Sequence, residues 1–187
     1  MALRNWLIGV VALSAAGTAR AQELDRHFAT VGAWEIAVEE DRNLCKMYRY
    51  YGSTVDSSIE GLVVRYDVGK ENVSLTWSTN APTPFPYDGQ IDLLLSFTKG
   101  ETINDTWGSQ TFRHAKSDDT RYFNRAFSGP GASKRILRDL GTSKLIGLYL
   151  GPVLLTALSL DAAEATASLR DCSLKLAVAP LPAQKRM

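Results

Sequence analysis

The sequence predicts a mainly β fold, an antiparallel β-sandwich or barrel-like domain of about 8–10 short strands with two short α-helices. Short segments of alternating or continuous apolar residues recur along the chain, separated by Gly, Asn, Asp or Pro. Of 187 residues, 45% are hydrophobic and 22% charged, which is the balance of a globular domain. A formal net charge of +1 gives no reason to expect nucleic acid as a partner.

The N-terminal segment is predicted to be a signal peptide. Arg4 supplies a positive start, the run Trp6–Ala16 is uncharged, and Ala19-Arg20-Ala21 is a small-x-small cleavage site. The run is about half as long as the roughly 20 apolar residues of a spanning helix. We therefore expect residues 1–21 to be removed, leaving no membrane span and a periplasmic or secreted protein. Residues 22–187 would form a single domain, with a flexible C-terminal tail from about residue 175.

Nine segments are predicted to be strands. In the first of them, Trp34, Ile36 and Val38 alternate with more polar residues, the pattern of a half-buried strand. Turn residues separate each segment from the next, so neighbouring segments are expected to form hairpins. The segments are Ala33–Glu39, Leu44–Tyr51, Leu62–Tyr66, Val73–Trp77, Ile91–Phe97, the stretch around Trp107–Phe112, Tyr122–Phe127, Leu145–Leu150 and Val153–Ser159.

The apolar stretch from Leu145 to Leu160 is predicted to form the last two strands rather than a membrane span. Gly151-Pro152 interrupts it, and each half has the length of a strand. We expect both strands to be buried under the last helix. The first helix is predicted over Ser133–Leu140, and Gly141 is expected to end it.

The last helix has the clearer start signal and a defined apolar face. Asp161 is the predicted N-cap, and Glu164 three residues later approximates a capping box. Ala165, Leu169 and Cys172 follow at i, i+4 and i+7, so they share one side of the helix. We expect this side to pack on the sheet.

The only two cysteines, Cys45 and Cys172, are predicted to form a disulfide. Both lie in the exported part of the chain, where an oxidising compartment allows them to pair. The bond would clamp the last helix to the second predicted strand. A catalytic thiol is the alternative, but it would need a nearby His or cation to lower its pKa, and neither His27 nor His114 is near a cysteine in sequence.

Catalytic and metal-binding motifs do not predict a reaction. The two histidines do not form a zinc-ligand pattern, and neither a Gly-x-Ser-x-Gly elbow nor a P-loop is present. The acidic groups Glu39-Glu40-Asp41 and Asp118-Asp119 are interpreted as solvated turns rather than paired carboxylates. We therefore expect no metal, no cofactor and no catalytic residue.

Two aromatic segments are candidate partner contacts. Tyr48, Arg49 and Tyr50 on the second predicted strand combine aromatic and basic side chains, which are common interface anchors. Phe85 and Tyr87 lie in a proline-rich loop whose restricted backbone would lose little entropy on binding. The alternative is structural, with the strand burying one aromatic face and the loop crossing the end of the sandwich.

The order of elements along the chain carries a family resemblance. It rests on the leader, the strand Val31-Gly-Ala-Trp34-Glu-Ile36, the short helix ending at Leu140-Gly141, and the closing strand and helix from Leu155 to Leu169. This pattern resembles secreted proteins of the invasion-associated locus B type. The resemblance implies a bacterial periplasmic or envelope β protein without known catalytic residues, linked in some members to invasion of host cells.

The sequence thus predicts an exported, non-catalytic envelope or periplasmic protein that binds a protein or an envelope component. Two alternatives are open. A small-ligand carrier would need an apolar cavity inside a barrel. An envelope hydrolase would need carboxylates or hydroxyls that only folding brings together.

Overall fold

Ten strands form one antiparallel sheet, and two helices pack against it, as predicted for the fold class. The computed structural model describes residues 25–52, 58–83, 85, 89–100 and 103–178. The elements are β1 Arg26–Val31, β2 Trp34–Glu39, β3 Leu44–Gly52, β4 Ile59–Asp67, β5 Asn72–Thr79, β6 Gly89–Thr98, β7 Ile103–Ser117, β8 Thr120–Ser128, α1 Pro130–Thr142, β9 Leu145–Leu150, β10 Val153–Ser159 and α2 Ala163–Val178.

The strand order across the sheet is β1-β2-β3-β4-β5-β8-β7-β6-β9-β10. The sheet is not closed into a barrel, but it curls so that the end of β10 reaches β2 and β3. There the Trp34 indole donates a hydrogen bond to the Leu160 carbonyl at 2.7 Å, and the Tyr51 hydroxyl donates to the Ser159 carbonyl at 2.7 Å. The two halves of the sheet therefore enclose one core, as in a sandwich.

Alternation along each strand separates the core face from the outer face. In β5, Val73, Leu75 and Trp77 are buried, whereas the residues between them are half-buried and polar. The inner faces of both halves of the sheet contribute large side chains to the core. The bulkiest wholly buried ones are Trp34, Phe97, Phe112 and Phe123.

The disulfide between Cys45 and Cys172 is present, as predicted. The two Cα atoms are 6.1 Å apart, and both side chains are buried. Cys45 lies on β3 and Cys172 on α2, and Ala165 and Leu169 on the same side of α2 are buried as well. The predicted packing face of the last helix is therefore confirmed.

Both helices begin and end at different residues from those predicted. α1 begins at Pro130, which is well suited to a first helical turn, and continues past Gly141 to Thr142. α2 begins at Ala163, and the Ala162 carbonyl accepts a hydrogen bond from the Thr166 N–H at 2.8 Å, so Ala162 is the N-cap and the capping box predicted at Asp161 is wrong. The helix extends to Val178, beyond the residue at which we expected a flexible tail to begin.

The structure corrects two further expectations. β1 was not predicted, because its sequence RHFATV lacks a clear apolar alternation. The last helix does not cover β9 and β10 but packs on β1 to β4, where the disulfide holds it. As the edge strand, β10 leaves Val153 and Leu154 exposed.

Three predictions concern residues that the structure does not describe. The leader over residues 1–21, Tyr87 and the chain after Val178 lie outside the described residues. Among the helices that the structure does describe, none is long and apolar enough to cross a membrane.

Candidate binding groove

Four adjacent strands, β3, β4, β5 and β8, form a groove on the outer face of the sheet. The strand register places four outward residues in one row across it: Tyr50 pairs with Gly61, Gly61 with Ser78, and Ser78 with Tyr122. The groove encloses about 570 Å³, which is within the range typical of ligand sites. Tyrosines thus stand on both sides of a floor made of small residues.

Gly61 is required for this arrangement. A Cβ atom at position 61 would lie 2.5 Å from the Ser78 Oγ and 3.1 Å from the ring of Tyr50. The missing side chain therefore lets the Tyr50 ring approach the neighbouring strand closely, a common role of glycine inside a strand. The Tyr50 ring therefore covers Gly61, and Ser78 is the floor residue that lines the open part of the groove.

The tyrosine wall on β3 is held by contacts between neighbouring side chains. The rings of Tyr48 and Tyr50 meet edge to face with centroids 5.9 Å apart, and the Lys46 ammonium lies 5.5 Å from the Tyr48 ring centroid. Burial raises the pKa of the Tyr48 hydroxyl, and the neighbouring Glu35 carboxylate raises it further. Tyr48 is therefore neutral throughout the physiological pH range.

The upper rim of the groove is exposed and partly apolar. Tyr50 is 66% exposed, Ile59 55% and Tyr122 39%, although all three are large side chains. Clustered exposed apolar side chains on a protein surface commonly mark a binding site. The hydroxyls of Tyr48, Tyr50 and Tyr122 make no hydrogen bond to another described residue.

A buried carboxylate organises the charged end of the groove. Glu39 accepts a hydrogen bond from the Arg65 Nε at 2.8 Å and lies 3.4 Å from the Lys46 Nζ. Lys46 also pairs with Asp25, and Arg65 donates to the Thr76 hydroxyl at 3.3 Å. Each cation at this end is thus neutralised by a carboxylate within the protein.

Asn80 closes the opposite end of the groove. Its Oδ1 accepts a hydrogen bond from the Ile59 backbone N–H at 2.6 Å, and its own backbone N–H donates to the Ile59 carbonyl at 3.2 Å. The two bonds join the ends of β4 and β5. The Asn80 side-chain NH₂ group makes no hydrogen bond to another described residue, so it remains a donor at the groove.

The structure separates the three predicted contact residues of β3. Tyr48 and Tyr50 line the groove, but Arg49 lies between them in sequence and therefore points to the other face. The Arg49 guanidinium lies 4.7 Å from the ring centroid of Tyr51 and donates to the Ser159 carbonyl at 3.4 Å. Arg49 thus holds the end of β10 and does not line the groove with Tyr48 and Tyr50, and a role in partner contact stays a prediction.

The predicted contact at Phe85 is corrected. Its side chain is only 8% exposed and packs edge-on against Phe123 at 5.6 Å and His114 at 6.0 Å between centroids. The Phe85 carbonyl accepts a hydrogen bond from Arg121 at 3.1 Å. The ring joins the apolar core at the end of the sandwich, as in the structural alternative. Tyr87, its predicted partner, lies outside the described residues.

Several groove residues were not among the predicted contacts. Tyr122 begins the predicted strand Tyr122–Phe127, but nothing in the sequence connected it with Tyr50. The two tyrosines face the same groove because the neighbour of β5 in the sheet is β8, whereas β6, the next strand in sequence, lies elsewhere in the sheet. Gly61 and Asn80 carry no motif, and Gly61 lies just before the predicted strand Leu62–Tyr66, so no sequence signal indicated the close packing there.

Groups suited to metal binding are not clustered in the part of the chain that the structure describes. No set of three or more His, Cys, Asp or Glu side chains is placed to hold an ion there. His114 stacks on Phe123 with ring centroids 4.6 Å apart and is buried in the core.

Comparison with known proteins did not assign a family. No protein-family model matches the chain, and no curated protein and no solved structure is significantly similar to it. The resemblance to invasion-associated locus B proteins therefore stays a prediction.

Proposed function

We propose that this protein is an exported envelope or periplasmic binding protein whose ligand site is the groove on β3, β4, β5 and β8. The observation that carries the proposal is the row formed by Tyr50, Gly61, Ser78 and Tyr122. Four strands contribute one residue each, so the fold itself builds a recess between exposed aromatic rings. Aromatic side chains of this kind are frequent anchors at binding surfaces.

The rigidity of the groove supports the proposal. Its side chains stand on strands inside the sheet, and Tyr48 is held between Lys46 and Tyr50. A preformed site loses little conformational entropy when a ligand binds. The aromatic surface is therefore available without rearrangement of the sheet.

The structure offers less support for the two alternative functions, a hydrolase and a small-ligand carrier, than for binding at this surface. A hydrolase would need a carboxylate that can reach a substrate, but Glu39 is only 7% exposed and is paired with Arg65 and Lys46. A carrier would need space between the halves of the sheet, but large side chains such as Phe97 and Phe112 fill that region.

Export is supported by the disulfide and by the leader pattern. A buried bond between Cys45 and Cys172 is stable in an oxidising compartment and rare in a reducing one. Mass spectrometry of exported material tests this part of the proposal, and Gln22 is expected as the first residue. Retention of residues 1–21 in a membrane fraction would contradict it.

Sedimentation with isolated envelope fragments tests the groove. Wild-type protein should pellet with the fragments, whereas the Tyr50→Ala/Tyr122→Ala variant should remain in the supernatant. Tyr149→Ala is the matched control, because Tyr149 lies on the outer face of β9, outside the groove. Equal pelleting of the wild-type protein and the double variant would refute the proposal, and so would failure of the wild-type protein to pellet.

A further inference from the structure

The charges of the groove indicate what kind of ligand it can accept. Lys46 and Arg65 contribute two positive charges, and Asp25 and Glu39 contribute two negative charges, so the sum is zero. An anionic ligand would have to draw a cation away from Glu39, which is only 7% exposed. Glu39 also pairs with Arg42 at 3.8 Å, so it would not be left unpaired, but the ligand would still compete with a buried carboxylate for its cations, which is unfavourable. The groove therefore suits a ligand without net charge.

The hydrogen-bonding groups narrow the ligand further. Tyr48, Tyr50 and Tyr122 offer hydroxyls that both donate and accept, and Asn80 adds an amide donor. A ligand rich in hydroxyl groups matches such a surface because its groups also donate and accept. A polyproline segment offers carbonyl acceptors but no backbone N–H, so it would use only half of this capacity.

Peptide binding by strand addition is excluded at this surface. Each of the four strands of the groove already pairs with a neighbour on both sides. The backbone of the groove floor therefore has no free ladder to offer an extended peptide. Recognition must come from side chains.

The placement of the aromatic rings suits a ligand ring that has an apolar C–H face and hydroxyl groups at its edge. Tyr50 and Tyr122 stand on strands separated by three inter-strand spacings, about 14 Å in a regular sheet. The small floor residues Gly61 and Ser78 lie between them. The C–H face of a sugar ring is attracted to the negative face of an aromatic ring, while its hydroxyls point outward to polar groups.

From the balanced charge, the hydrogen-bonding groups, the paired strands and the placement of the rings we infer that the groove binds a neutral segment of a carbohydrate chain. The inference rests on the proposed function and specifies its ligand class. The tyrosines stack on the sugar rings, Ser78 and Asn80 bind hydroxyl groups, and the ion pairs of Glu39 keep the charged end of the groove neutral. Binding is then expected to be nearly independent of salt, since no net charge is neutralised.

An array of defined oligosaccharides tests the inference. It should display neutral glucose and N-acetylglucosamine oligomers, uronic-acid and sulfated oligomers, and proline-rich peptides, with affinities of the hits measured by calorimetry. Wild-type protein should bind at least one neutral oligomer, with a Kd that changes less than about twofold between roughly 0.05 and 0.5 M salt. Tyr50→Ala/Tyr122→Ala should weaken binding at least about tenfold. Tyr149→Ala should bind like the wild-type protein.

A second variant keeps the test informative if the double variant folds poorly. Ser78→Ala removes one hydroxyl from the floor, and its weak bond to the Gly61 carbonyl, at 3.5 Å, contributes little to the fold. It should weaken binding of the neutral oligomer about three- to tenfold.

Three outcomes would overturn the inference. They are binding confined to the acidic oligomers, binding confined to the peptides, and no binding to the array by protein that still sediments with envelope fragments through the groove. In the last case the proposed function stands and only the ligand class fails. If groove variants also sediment normally, the proposed function fails as well.

Discussion

Removal of the Cys45–Cys172 bond should lower the free energy of unfolding, mainly because the unfolded chain gains conformational entropy when it is no longer cross-linked. The two cysteines are 127 residues apart in sequence, so the bond closes a loop that spans most of the domain. For a loop of this length the chain-entropy relation gives about 5 kcal/mol at 25 °C. Native disulfides contribute about 2–5 kcal/mol in practice, and we expect a value in that range.

The folded state should change little when the bond is absent. Leu169 and Ala165 remain buried on the packing face of α2, and the Ser173 hydroxyl still donates to the Tyr66 carbonyl at 3.2 Å. The Cys45→Ala/Cys172→Ala variant should therefore keep the wild-type circular dichroism spectrum. Its melting temperature should fall by about 4–20 °C, at about 2–4 °C per kcal/mol for a domain of this size.

Urea denaturation of three samples measures the effect. The oxidised wild-type protein, the reduced wild-type protein and the double alanine variant should be compared, and the last two should agree closely. Their m-values should exceed that of the oxidised protein, because an unlinked unfolded chain exposes more surface. A loss below about 1 kcal/mol would refute the entropic reasoning. Loss of helical signal without denaturant would show instead that α2 depends directly on the bond.

Three further predictions follow from single side chains. Phe85→Ala should cost about 3–5 kcal/mol in urea denaturation, because the ring is buried against Phe123; a cost below about 1 kcal/mol would contradict this burial. Burial raises the pKa of Tyr51 to about 12. The stability contributed by the neutral hydroxyl should therefore be complete below about pH 10 and should be lost as the pH rises toward 12. Tyr51→Phe should make the free energy of unfolding depend less on pH in this alkaline range. Gly61→Val should displace Tyr50 and cost about 1–3 kcal/mol; unchanged stability together with unchanged envelope binding would show that the close packing at this position is unimportant.

The sequence predicted the features that depend on local periodicity. The alternation of Trp34, Ile36 and Val38 identified β2 and its buried face, and the spacing of Leu169 and Cys172 identified the packing side of α2. The disulfide followed from the presence of two cysteines in a chain whose first residues are predicted to be an export signal. In each case the residues that determine the feature are close in sequence or unique in type.

The features that depend on long-range pairing were not predictable in the same way. Alternation tells which side of a strand is buried, but it does not tell which strand lies beside it. The groove exists because β8 pairs with β5, across two intervening strands, and this pairing brings Tyr122 to Tyr50. The position of α2 over β1 to β4 depends likewise on tertiary packing and on the disulfide to β3.

The same limit explains the error at Phe85. A proline-rich loop with an aromatic residue is compatible both with a displayed ring and with a ring that covers the core. The neighbours that bury Phe85 come from β7 and β8, about 30–40 positions further along the chain, so the sequence alone left both alternatives open.

Tyrosine-selective NMR tests the central claim most directly. The chain contains seven tyrosines, and three of them, Tyr48, Tyr50 and Tyr122, line the groove, whereas Tyr66 and Tyr149 lie outside it. Protein labelled with ¹³C-tyrosine should be titrated with a neutral oligosaccharide released from isolated envelope fragments. We expect saturable shifts of the three groove tyrosines and unchanged signals for Tyr66 and Tyr149. Shifts confined to Tyr66 or Tyr149, or no saturable shift at any tyrosine, would contradict it.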